Sequence, residues 1–434
     1  MSSVPRSSTG RLAARSLILF LNFFLIILAY YQVKSASRSL LIEYWGADAF
    51  AYVWIASALV LISVILVYHR LVARLRRFRV ILGSCLLSAA AMAGFWSLLQ
   101  SHPAVAALGF YIFVDIISVI LVEEFWSLTD TVTAGEEGRK SYWFVSTGGL
   151  AGSVVGGATA LALLKYTSLE TADLLLSAAA ILVLIFFLNL RMGGSGMFVE
   201  NAHGKRPLVA REGWRALTGS RYLFLIAGAL FFAQLAQPVV EYQFLKKVEA
   251  LFPEMDPRTE FISGFFSALG FISIGVNLVV TPLIHRYLGI IVGMMLQPVL
   301  LFLFSLGFLL QSTLLTAAAM KVSDRGLSYS INRASKEQLY IPVAALQTYQ
   351  AKAWIDMLGY RIFKMVGSVL ILLFTQWLPA LLDAGEWWPF TLDIGQMSWL
   401  TLLICAGWMA VLLQLKRCYE SMAQPLGPQS STRD

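Results

Sequence analysis

Apolar runs of membrane-crossing length, separated by short polar turns, fill most of this chain. Twelve such runs can be traced. They fall at about 16–34, 48–68, 80–100, 104–126, 142–164 and 170–190, then at about 220–244, 260–284, 288–310, 313–331, 353–378 and 397–415. A helix needs roughly 20 apolar residues to cross an ~30 Å hydrocarbon layer, and these runs have about that length. The longest polar segment, Arg191 to Ser220, opens with Gly193-Gly194-Ser195-Gly196 and divides the runs six and six. The pattern therefore predicts an all-α membrane protein of twelve transmembrane helices in two six-helix halves. Residues 1–190 form the first half, 191–219 a cytoplasmic linker, and 220–434 the second half. A short echo fits a duplication: Ser57-Ala58-Leu59 precedes His69-Arg70, and Ser267-Ala268-Leu269 precedes His285-Arg286.

Composition agrees with the pattern. The chain is 58% hydrophobic and 13% charged, against roughly 45–50% and 25% in ordinary soluble domains. The net charge of +8 is spread over loops between greasy runs, so it predicts membrane orientation and no nucleic-acid partner. One side collects the N-terminal arginines, the Arg70–Arg79 cluster, Arg139 and Lys140, the 191–221 bases, Arg286, the 321–352 segment, and Lys416 with Arg417. The other side holds fewer bases: Lys34, Arg38, Lys165, Lys246, Lys247 and Arg258. This imbalance predicts two cytoplasmic termini. The first run follows Arg6, Arg11 and Arg15 like a signal peptide but lacks a cleavage site, so it reads as a retained helix. Cys85, Cys405 and Cys418 have neither disulfide nor metal spacing, and neither a metal nor a cofactor is expected.

Charges inside the apolar runs change the picture most. The segment from Asp324 to Lys364 is polar in a greasy chain and ends in Asp356, Tyr360, Arg361 and Lys364. In a helix entered at Ala353, Lys364 lies roughly 16 Å deep, where a charge costs about 2.5–3.5 kcal/mol on insertion scales. Arg361 and Lys364 share a helix face, which points to a water-filled cavity that receives an anion. Lys34 and Arg38 share a face near the outer end of the first helix; they either snorkel to headgroups or draw an anion to the cavity mouth. Among the acids, Glu123 and Glu124 end the fourth helix. Asp115 lies mid-helix, within depth range of Arg361 or Lys364. Glu241 sits in the seventh helix, with Lys246 and Lys247 as possible partners. Trp126, Tyr242 and Tyr360 are candidates to stack on a base. The fifth helix opens with Gly148, Gly149, Gly152, Gly156 and Gly157, a spacing for close helix packing or for a sliding gate contact. There is no HExxH, Walker A loop or GxSxG, and the histidines have no ligand spacing, so an enzyme is not expected.

The passage Tyr329-Ser330, Lys336-Glu337, Tyr340-Ile341-Pro342, Lys352-Ala353 and Ile355-Asp356 resembles the ATP/ADP translocase family of plastids and obligate intracellular bacteria. Glu124-Phe125-Trp126 and Val240-Glu241 with Leu251-Phe252-Pro253 are looser matches to the same family. The resemblance implies a major facilitator fold and nucleotide transport, in the inner (plasma) membrane of a bacterium. It places the family's helix 4 glutamate on Glu124, its helix 7 glutamate on Glu241 and its helix 11 lysine on Lys364. The family's helix 1 lysine would fall near Ser37, where this chain departs, with Arg38 adjacent and Lys34 one turn back.

The expected function is a secondary transporter with alternating access, moving nucleotides by ATP/ADP exchange or proton-linked uptake. Lys364, Arg361, Lys34, Arg38 and Tyr360 form the expected substrate-binding set, and Glu124, Glu241, Asp115 and Asp356 the coupling or gating set. The partners are a phosphorylated anion and membrane lipid, with the protein a monomer. A proton-coupled carrier of another organic anion, and a non-transporting scaffold or receptor of the same fold, stay open.

Overall fold

The computed structural model describes residues 6–72, 75–133, 135–194, 210–343, 347, 351–352, 354–355, 359–383 and 393–423. Among these residues every regular element is helical. In chain order they are α1 (Arg6–Trp45), α2 (Phe50–Val72), α3 (Arg77–Ser101), α4 (Pro103–Val132), α5 (Gly135–Tyr166) and α6 (Leu174–Gly194). There follow the short α7 (Ala210–Thr218), α8 (Arg221–Leu251), α9 (Met255–Gly275), α10 (Thr281–Tyr287) and α11 (Ile290–Leu310). The chain continues with α12 (Leu314–Lys321), α13 (Arg333–Leu339), α14 (Tyr360–Leu372), α15 (Leu378–Asp383) and α16 (Ser398–Ala423).

Eleven helical stretches among the described residues are long and apolar enough to cross a membrane, so this is a multi-pass membrane protein. The run expected at 313–331 is not one of the eleven. It is helical, but Lys321, Asp324 and Arg325 interrupt its apolar character. Two π-helical segments, Val322–Gly326 and Ser328–Asn332, also break its α-helical geometry. Large apolar side chains such as Leu87, Leu184, Phe187, Leu303 and Leu403 stand exposed on their helices. In water that would be costly; against lipid tails it is the expected solvent-facing surface.

By its internal contacts the chain forms two compact units. The first is Met1–Lys205 with Val248–Ile274, and the second is Arg206–Lys247 with Gly275–Asp434.

In the first unit α1 is the central element and packs on α4, α5 and α6, while α3 packs on α4 and α6. Leu19, Ile26, Val33, Ile81, Phe110, Phe125 and Leu182 fill its core. The glycines of α5 explain how closely α1 approaches. A Cβ at Gly148 would lie 2.6 Å from Phe20 O, one at Gly152 2.5 Å from Phe24 O, and one at Gly156 2.7 Å from Leu28 O. The spacing seen in the sequence is therefore a backbone-to-backbone seam. Polar groups pin α1 to α5 and to α6: Gln32 Nε2 donates to Thr159 Oγ1 of α5 at 3.0 Å, while Asn22 Nδ2 donates to Asn189 Oδ1 of α6 at 2.8 Å and Ser177 Oγ of α6 to Gln32 Oε1 at 3.0 Å. Such interhelical bonds contribute about 0.6–2 kcal/mol each in a bilayer.

Arg258 was counted from sequence among loop bases, yet its side chain is buried. It donates to Phe252 O at 2.8 Å, to Pro253 O and to Ser39 O at 3.2 Å, and pairs with Glu43 at 3.2 Å. It thereby satisfies carbonyls left over at the end of α8 and ties the turn to α1.

In the second unit α11 packs on α16 and α12, and Leu223, Ile226, Leu230, Met294, Trp408 and Leu412 lie in its core. Gly367 of α14 lets that helix approach α8, where an added Cβ would meet Leu235 O at 2.8 Å and the Pro238 ring at 2.9 Å. Pro238 sits inside α8, removing a backbone donor one turn before Glu241.

Candidate functional site

The expected residues fall into two groups, one in each unit. In the first unit Lys34 is buried on α1 against aromatic faces. Its Nζ lies 4.1 Å from the centroid of Phe266, 4.3 Å from that of Tyr31 and 5.5 Å from that of Tyr30. The Arg38 guanidinium lies 5.4 Å from the Phe266 ring and 5.8 Å from Tyr111, and donates to Lys34 O at 3.0 Å. The i,i+4 spacing on α1 does put both cations on one face. Only Lys34 is deeply buried, while Arg38 is half-buried. Ring quadrupoles hold each cation by about 0.5–2 kcal/mol, more where water is excluded. Lys34 is thus a buried cation set among aromatic rings.

The two acids expected to end the fourth helix lie within α4, which runs on to Val132, and they separate sharply. Glu123 is exposed and Glu124 is buried. Ser84 Oγ donates to Glu124 Oε1 at 2.6 Å, while buried Oε2 accepts no hydrogen bond. A buried carboxylate with one oxygen unserved is costly unless it binds a proton or a ligand. Asp115, half-buried on α4, makes no ion pair among the described residues of its unit. Asp115 belongs to the first unit, whereas Arg361 and Lys364 belong to the second. Trp126 packs in an aromatic cluster, stacked on Tyr142 at 5.3 Å and edge-on to Phe23 at 5.2 Å.

In the second unit Arg361 and Lys364 are half-buried on α14, one turn apart, and Tyr360 opens that helix. The Lys336 Nζ lies 5.7 Å from the Tyr360 ring centroid. Asp356 lies outside the described residues.

Glu241 is buried on α8 and forms an ion pair with Lys321 of α12. Helix α8 runs on past Lys246 and Lys247 to Leu251. Lys321, which the loop pattern groups with the cytoplasmic bases, has a side chain only 1% exposed. Asp324, three residues on, is also buried, with Oδ2 3.8 Å from Lys321 Nζ and 3.7 Å from Arg325 Nε. The sequence carried one signal for this cluster. Lys321 and Asp324 directly continue the apolar stretch Leu314–Met320, too close to it to be read as a loop.

Comparison with known proteins places these residues in a lineage. The family model described as TLC ATP/ADP transporter matches residues 85–324, more than half the chain. The match includes Glu124, Glu241, Lys321 and Asp324, while Lys34, Arg38, Arg361 and Lys364 lie outside it. The chain is 24% identical over 301 residues to an ADP,ATP carrier protein 5 of Rickettsia felis, covering 59% of this chain and 60% of that one. It is 21% identical over 188 residues to an ADP,ATP carrier protein 1 of Chlamydia pneumoniae, covering 38% and 36% respectively. This chain thus spans less than two thirds of each relative's length. In structure it is similar to the nucleoside transporter NupG, with a TM-score of 0.62 and 13% identity, over 94% of this chain and 100% of that one. It is similar to the same degree, TM-score 0.62 and 14% identity, to a bacterial homologue of the iron transporter ferroportin, over 92% and 98%. At these identities the two structures speak to fold alone.

Proposed function

The chain belongs to the TLC ATP/ADP transporter family, and from that premise we propose that it is a secondary active transporter of nucleotides working by alternating access. The observation that carries the proposal is the family match across residues 85–324, which takes in two deeply buried glutamates, Glu124 and Glu241. Their burial in a multi-pass chain fits a coupling role, because an intramembrane acid is kept only where charge must be handled.

In this reading the cations neutralise phosphate. A nucleotide carries several negative charges and cannot cross an apolar layer without fixed counter-charges. Lys34, already stripped of bulk water by its aromatic cage, and Arg38 engage phosphate in the first unit. Lys364 and Arg361 do so in the second, with Tyr360 available to stack on the base. Glu124 and Glu241 couple the conformational step to substrate, with Asp115 and Asp356 as accessory acids. The protein acts as a monomer in a bacterial inner membrane with both termini cytoplasmic, its halves arranged as six helices each in the major facilitator manner.

Counterflow in proteoliposomes tests this. The full chain is expected to exchange labelled ATP for internal ADP, and Lys364→Ala to abolish the exchange while the protein still melts cooperatively. Uptake that ignores nucleotides but collapses with a protonophore would replace nucleotide exchange with proton-linked transport of another anion.

A further inference from the structure

The cluster around Lys321 has a feature that a static ion pair does not need. Lys321 Nζ bonds Glu241 on α8, but a second buried carboxylate, Asp324, waits at 3.8 Å. Asp324 Oδ2 accepts no hydrogen bond, and Arg325 Nε stands 3.7 Å away, also beyond hydrogen-bond reach. The backbone beneath is held firmly: Gln297 Nε2 of α11 donates to Asp324 O at 2.9 Å, and Asn332 Nδ2 donates to Gln297 Oε1 at 2.5 Å. The main chain is thus anchored while the carboxylate is left under-served. The π-helical segment Val322–Gly326 begins directly after Lys321. Such segments loosen the regular spacing of a helix and recur at functional sites.

These facts define two positions for one ammonium group. On Glu241 it links α12 to α8. On Asp324, three residues along the same stretch, it makes an intrahelical pair and this ion pair between helices is gone. We infer that Lys321 is a latch, closed on Glu241 and open on Asp324, which opens when Glu241 loses its negative charge and frees α12 from α8. Lys321 and Asp324 are in this sense positioning residues for Glu241, and the inference rests on the transport reading for its purpose but not for its geometry. Bistable packing of this kind is how small local changes become helix movements.

The native Cys405 thiol supplies a reporter. It is buried on α16, which packs on α11, the helix whose Gln297 bonds Asp324 O. In a full-length chain with Cys85→Ser and Cys418→Ser, maleimide labelling of Cys405 is measured in liposomes alongside ATP/ADP counterflow. Glu241→Gln removes the closed position, so labelling is expected to accelerate by about 10-fold. Asp324→Asn removes the open position, so labelling is expected to slow, and exchange to lose turnover by about 10-fold with KM changed less than about 3-fold. Asp324→Glu, which keeps the carboxylate, restores both. Opposite signs are the signature, because a cluster that merely holds the fold together would loosen in both variants. Acceleration in both, or identical labelling in all chains, overturns the latch. If the labelling signs are as expected while the native chain exchanges no nucleotide, the latch stands and the nucleotide reading falls.

Discussion

Replacing Gly152 by alanine tests whether α1 and α5 meet backbone to backbone. The new Cβ would sit 2.5 Å from Phe24 O and 3.2 Å from Leu28 N. That is about 0.9 Å short of the 3.4 Å at which ordinary contact begins. The obstacle is a main-chain carbonyl, which cannot rotate away as a side chain would, so α1 itself must move. Overpacking of this kind costs about 1–3 kcal/mol. Gly94 and Gly83 on α3 supply the control, since nothing lies within 4 Å of a Cβ at either position. Alanine there gains only the helix-propensity difference, about 0.5–1 kcal/mol. Gly152→Ala and Gly94→Ala therefore share the propensity gain and differ by the clash alone. Thermal unfolding in detergent, followed by intrinsic tryptophan fluorescence, reads the difference at about 2–4 °C per kcal/mol for a unit of this size. Gly152→Ala should melt several degrees below Gly94→Ala. Equal melting temperatures would refute the seam as described.

Glu124→Gln should raise the melting temperature or leave it unchanged while counterflow falls at least about 10-fold, because a buried charge served only by Ser84 is replaced by a neutral isostere. A parallel loss of stability and exchange would reduce Glu124 to a structural residue. Arg258→Ala should cost about 1–3 kcal/mol in the same melting assay, the penalty for leaving buried acceptors unserved, with little added by the ion pair because Glu43 is exposed. Arg258→Lys should recover only a fraction, since one ammonium group cannot reach Phe252 O, Pro253 O and Ser39 O together; full rescue by lysine would show that charge alone matters there.

Much of the architecture was legible because membrane solvent imposes a strong one-dimensional signal: a span must be apolar along its whole length. The glycines of α5 were legible as a close-packing device for the same local reason. Their partner was not, since nothing near Gly152 in sequence says that Phe24 lies across from it. Glu241 announced itself as an acid in a greasy helix, but its counter-ion lies 80 residues away. A rule that treats bases beside apolar runs as loop markers is blind to the burial of Lys321, a lysine paired in the interior. The same rule counts Arg258 as an outer base and says nothing of its burial, its guanidinium spent on carbonyls that only the folded turn brings together. The run at about 313–331 reads as one helix in sequence because π segments change the winding without changing the composition.

The hydrogen bonds that fasten α1 carry a consequence for biogenesis. Asn22 and Gln32 find their partners at Asn189, Thr159 and Ser177, between 127 and 167 residues later in the chain. A ribosome delivers α1 to the membrane well before those groups exist. The nascent first helix must therefore wait beside the insertion machinery, its amides sheltered from lipid, until the fifth and sixth helices arrive to receive it.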